Sequence, residues 1–75
     1  MLNFRIIYSK DNFELPISQE ISIMELKMSI MGILDLDMEN FSVNLEKIGE
    51  IDMEEMLELP LSSLDLCKKN LTKIY

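Results

Sequence analysis

The side chains able to do chemistry are few and badly placed for it. Cys67, the single cysteine, stands beside Lys68 and Lys69, whose charges favour a thiolate. A nucleophilic thiol also needs a base, and the chain has no histidine. The expectation for Cys67 is a corner-turn thiol that packs, since alone it can close neither an internal disulfide nor a cysteine-rich metal site. Carboxylates are plentiful: there are fourteen acidic residues, and nine of them lie between Asp35 and Glu58 against one cation, Lys47. None of this run has the Asp-x-Asp-x-Asp-Gly loop with a closing Glu that holds calcium, and no carboxylate pair sits in a pocket that the pattern defines. No catalytic residue, metal or cofactor is therefore expected. The acidic run can keep a small apolar domain soluble, or steer a basic partner by a field that raises association rate and fades with salt.

The chain itself must be one small domain. A chain of 75 residues buries only about 60% of its unfolded surface, so no deep cleft can be spared. With 48% apolar residues it has the composition of a packed core and not of a disordered tail. A net charge of −7 opposes nucleic acid and anionic membranes, which leaves a protein partner and a monomer as the expectation. The N-terminal apolar stretch is broken by Asn3, Arg5 and Lys10, so it resembles neither a secretion signal nor a membrane span. Together with the lone cysteine this points to the cytoplasm or nucleus. No repeat, linker or low-complexity tract divides residues 1–75.

Leu2, Phe4 and Ile6 alternate with Asn3 and Arg5, and after the polar turn Ser9-Lys10-Asp11-Asn12 the alternation resumes at Phe13, Leu15 and Ile17. This spacing predicts a β-hairpin with one apolar face, and Pro16 makes its second strand an edge. Ser22 and Glu25 have the spacing of a capping box, with Ile21 and Leu26 as its hydrophobic staple. They open a helix from Ile23 to about Leu34, whose Ile23, Leu26, Ile30 and Ile33 or Leu34 line one face and which Gly32 and Asp35-Leu36-Asp37 weaken. Phe41, Val43 and Leu45 then point inward from a third strand, with Ser42, Asn44 and Glu46 outward, and a short fourth strand follows around Gly49. From Asp52 to Glu58, Met53, Met56 and Leu57 have helical spacing behind a possible Asp52 N-cap, although a loop fits nearly as well. Leu59, Leu61, Leu64 and Leu66 supply a buried corner, and Leu71 to Tyr75 form the last strand.

Four segments carry a likeness to a known family: Met1 at the opening of the first strand, Phe13-x-Leu15-x-Ile17 in the second, Ser22-Ile23-x-x-Leu26-Lys27-x-x-Ile30 in the helix, and Leu61-Ser62-x-Leu64-Asp65-Leu66 at the corner. The helix and corner are the specific ones. In these segments, and in the order of its elements, the whole chain resembles the ubiquitin-like domains. The resemblance implies an α+β fold, the β-grasp, with a mixed four- to five-stranded sheet packed on one α-helix and the last strand parallel to the first. An ungapped match to ubiquitin would turn Arg5 inward and Leu2, Phe4 and Ile6 to solvent. Burying an unpaired guanidinium is too costly, so strand one must slip by a residue. The stretch from Ile51 to Leu61 also exceeds the family's spacing, which makes Asp52 to Glu58 an insertion.

Modifiers of this family end in Gly-Gly, whereas the sequence closes at Tyr75. The resemblance therefore implies a non-catalytic interaction module, an N-terminal ubiquitin-like domain like those of proteasome shuttle or Ddi-type proteins, docking a larger protein on ubiquitin or a proteasome receptor. The alternatives are a stand-alone β-grasp subunit of an assembly, or a modifier whose Gly-Gly tail lies beyond Tyr75. Family members bind through an apolar patch on the outward face of strands three to five, whose central position here is Asn44. Flanked by Ser42 and Glu46, it is a weakened patch, with Tyr8 and Tyr75 as substitutes at its margins. An alternative partner-binding set is Met24, Met28 and Met31, a second stripe on the helix that either broadens the core or forms an adaptable contact surface. Lys27 matches a lysine that ubiquitin keeps in a buried ion pair, but a snorkelling lysine is the simpler expectation.

Overall fold

The computed structural model describes residues 1–66 and 68–75, with the backbone alone at Met38. The expectation for Cys67 lies outside these residues. β1 (Leu2–Tyr8) and β2 (Asp11–Ile17) form an antiparallel hairpin in which Phe4 faces Leu15 and Arg5 faces Glu14. The alternation sets the faces as expected: Phe4 and Ile6 are fully buried, while Arg5 is exposed and bridged to Glu14 at 3.3 Å. The turn is tighter than expected, because Asp11 and Asn12 belong to the strand. Only Ser9 and Lys10 connect the two, with Ser9 held at a φ of 53°, a conformation that suits glycine better than serine.

Helix α1 runs over Ile23–Leu34. Ser22 is its N-cap: the hydroxyl oxygen accepts from the Glu25 N–H at 3.2 Å and itself lies 3.5 Å from the Glu25 carboxylate. The helix stops where Asp35 turns left-handed (φ 54°, ψ 51°) and the Leu36 N–H donates back to Met31 O at 3.1 Å. Beyond a 3₁₀ turn (Met38–Asn40) come β3 (Val43–Leu45) and β4 (Gly49–Glu50). Two further 3₁₀ turns (Glu54–Met56 and Leu61–Ser63) lead to β5 (Lys69–Ile74). The five strands lie in the order β2-β1-β5-β3-β4. β5 is parallel to β1 and antiparallel to β3. Pro16 therefore sits on an edge strand, where a missing N–H is tolerated.

Between sheet and helix lies one core of Phe4, Ile6, Ile17, Ile23, Leu26, Ile30, Phe41, Val43, Leu45, Ile51, Leu61 and Ile74. Burial of each such side chain is worth about 1.5–3 kcal/mol against leaving it in water. The edges of this core depart from the sequence pattern in three places. Leu59 is 41% exposed, so the leucine corner reduces to Leu61 with Leu64 and Leu66 packed on it. In β5 it is Thr72 and Ile74 that point inward, not Leu71, because Thr72 pairs with Ile6 and Ile74 with Val43. Asp52 to Glu58 forms one 3₁₀ turn behind Met53, and Asp52 is not its cap.

That insertion is a strap along the start of the helix. The Ile23 N–H donates to Leu59 O and the Met24 N–H to Leu57 O, both at 2.9 Å, while the Leu61 N–H donates to Ile21 O at 2.8 Å. With the Ser22 cap on Glu25, the N–H groups of Ile23, Met24 and Glu25, which have no acceptor within the helix, each find one.

Candidate protein-interaction surface

The alternation that buries Val43 and Leu45 turns Asn44 to the outward face of the sheet. There it lies beside Lys73 of β5 and Glu50 of β4. Ser42 and Tyr75 exchange backbone hydrogen bonds of 2.8 and 3.0 Å, which extends the β3–β5 ladder and holds a 68% exposed Tyr75 at its end. At the other end the Glu46 N–H donates to Leu71 O at 3.0 Å. The structure thus brings Ser42, Asn44, Glu46 and Tyr75 onto one surface. Tyr8 is not part of it: it follows the parity of Phe4 and Ile6 and packs, half-buried, against the core on the helix side.

Beside these residues is a groove of about 260 Å³. Leu71, Leu66 and Ile48 make it apolar, and Arg5, Glu14, Glu46, Lys47, Asp65 and Lys69 stand around it. Three cations and three carboxylates balance there, on a chain whose net charge is −7. Leu71 and Ile48 are not among the residues expected to bind a partner. A signal for Leu71 does exist in the sequence. An exposed Lys73 requires its neighbours Thr72 and Ile74 to be of opposite parity, which puts Leu71 outward with it.

On the opposite side, Met24 is 37% and Met28 48% exposed, whereas Met31 is half-buried against the core. The stripe therefore divides: Met31 broadens the core and the other two reach solvent. Met56 and Leu57 of the strap are half-buried against the core, and Met53 is 39% exposed.

Lys27 does not snorkel. It is 8% exposed and its Nζ lies 2.6 Å from Asp52 Oδ2, with the Phe41 ring centroid at 4.9 Å. Asp52 is equally buried, and its Oδ1 has no hydrogen-bond partner among the described residues. The pair joins the helix to the strap, so it positions elements instead of offering a charge to a ligand. Among the described residues no three of His, Cys, Asp and Glu gather as a metal site.

No protein-family model and no curated protein matches the sequence. Solved structures do match. The ubiquitin-like domain of Arabidopsis thaliana protein At2g32350 superposes with a TM-score of 0.80 at 9% identity, over 99% of this chain and 74% of that one. A chain in the crystal structure of ATBAG1 in complex with HSP70 matches with a TM-score of 0.63 at 21% identity, over 96% of this chain and 39% of that one. A ubiquitin-like protein from the hyperthermophilic archaeon Caldiarchaeum subterraneum gives 0.58 at 12% identity, covering 97% and 92% of the two chains. At such identities the likeness is one of fold, and the fold is the ubiquitin-like β-grasp.

Proposed function

We propose that this ubiquitin-like domain is a non-catalytic protein-interaction module that works as a monomer in the cytoplasm or nucleus. It docks a larger protein onto ubiquitin or a proteasome receptor through the outward face of its sheet. The observation that carries the reading is the groove floored by Leu71, Leu66 and Ile48 beside Asn44. An apolar anchor from a partner finds there the burial that Asn44 cannot offer, inside a polar rim that supplies orientation. ATBAG1, whose structure was determined in complex with HSP70, supports a protein as the partner class.

A titration followed by NMR, with ubiquitin and with proteasome ubiquitin receptors at low and moderate salt, tests the reading. Shifts are expected at Asn44, Leu71 and Tyr75, and Leu71→Glu should weaken binding about tenfold or more, as loss of a buried anchor does. No response to any of these partners would remove the ubiquitin–proteasome assignment. The exposed Met24, Met28 and Ile33 favour a second reading, a β-grasp subunit built into an assembly by its helix side. Association of the chain with itself or a fixed companion, independent of Leu71, would support that one.

A further inference from the structure

The helix side of the molecule combines two features that the sheet face lacks, namely solvent-reaching methionines and uncompensated negative charge. Met24 and Met28 are one helical turn apart and 37% and 48% exposed. The strap runs along their flank, since Asp52 is fixed on Lys27 and the Leu57 carbonyl on the Met24 N–H. Met53, 39% exposed, belongs to that strap, and so do the exposed Glu54, Glu55 and Glu58, with Glu25 exposed on the helix itself. Lys27 is the one cation of the helix, and Asp52 neutralises it in the interior. By strand parity Arg5, Lys69 and Lys73 project from the far face of the sheet. The two sides differ in charge: four exposed carboxylates, Glu25, Glu54, Glu55 and Glu58, belong to the helix and strap, whereas cations and carboxylates balance around the sheet groove.

We propose that the surface of Met24, Met28 and Met53 is a second docking site, and that its occupant is a basic amphipathic helix of another protein. Unbranched thioether side chains adapt to anchors of varied shape, which suits a helix that lays an apolar stripe against them. The carboxylates select the chemistry of the flanks: lysines and arginines of the incoming helix meet Glu25, Glu54, Glu55 and Glu58 with complementary charge. A second copy of this chain, at a net charge of −7, is repelled from the same surface, and so is an anionic membrane. The site is independent of the sheet groove, so each can fail without the other.

The test uses a synthetic helix of about 16 residues with leucines at i, i+4 and i+7 on one face and lysines and arginines flanking them. A peptide of the same composition in scrambled order is the control. Methionine methyl signals of the chain are followed by NMR during titration. Shifts are expected at Met24, Met28 and Met53, with binding that weakens severalfold between about 50 and 300 mM salt. Met24→Gln with Met28→Gln should weaken it about tenfold, and exposed positions of this kind accept glutamine without loss of fold. Leu71→Glu should leave it unchanged. The proposal is overturned if the methyl signals do not move, if the scrambled peptide binds equally well, or if the double glutamine variant binds as the parent does. Movement of the same methyls on concentrating the chain alone, without peptide, would also overturn it by assigning the surface to self-association.

Discussion

Two ion pairs stand at opposite poles of this domain. Arg5 and Glu14 meet at 3.3 Å on the outward face of the hairpin with side chains 49% and 60% exposed, whereas Lys27 and Asp52 meet at 2.6 Å under the strap with side chains 11% and 2% exposed. The groups are of the same kinds, but their surroundings give them different work. On the hairpin, water screens both charges and the strand register is already held by the backbone ladder and the buried Phe4 and Ile6. Under the strap, water is excluded and the backbone hydrogen bonds to the helix fall between Leu57 and Leu61, so at its other end the pair ties residue 27 to a segment twenty-five positions away. An interior charge holds a long connection in place only while its partner is present, because either ion left alone is severely destabilising.

Lys27→Met breaks the comparison most directly. It strands the Asp52 carboxylate in the interior and should cost about 3–5 kcal/mol in urea unfolding. Adding Asp52→Leu should restore most of that loss, and a double variant as unstable as the single would show that the pair is not the cause. Where the strap meets the helix, Ser22→Ala removes the side-chain acceptor for the Glu25 N–H and should cost about 1 kcal/mol by the same measurement. In the hairpin turn, Ser9→Gly relieves the left-handed backbone of a non-glycine residue, and a gain of roughly 0.5–1 kcal/mol is expected. The smallest effect belongs to Arg5→Ala, which should move stability by less than about 0.5 kcal/mol. A loss above 2 kcal/mol there would mean that the outer face matters to the fold far more than its exposure implies.

Legibility follows the same division. The hairpin faces, the Ser22 cap, the helix from Ile23 to Leu34 and the inward Phe41, Val43 and Leu45 could all be read in advance, since each depends on periodicity or capping within a few residues. The outward surface was half legible. Asn44, Ser42 and Glu46 followed from strand parity and Tyr75 from its place at the patch margin, while Leu71 and Ile48, which supply its apolar groove, could be placed there only once the faces of β5 and of the β3–β4 turn were known. Tyr8 was set on the wrong side, although its even number in β1 matches Phe4 and Ile6. The insertion was recognisable by its length but not by its course. Asp52 had the look of a helix cap and is an interior counter-ion, and Leu59 had the look of a core residue and contributes its carbonyl to the helix start.

What the amino-acid order decided alone is therefore local: two periods, 2 and 3.6, with the caps and turns that separate them, and a surplus of negative charge. What only tertiary structure decided is which distant groups meet: Lys27 with Asp52, the N–H groups of Ile23 and Met24 with the strap, and Leu71 with Ile48 beside Asn44. A repeat of apolar residues declares which face of an element avoids water, but not which partner will cover it. That choice arises when elements far apart in the chain compete to fill the same space and satisfy the same buried polar groups.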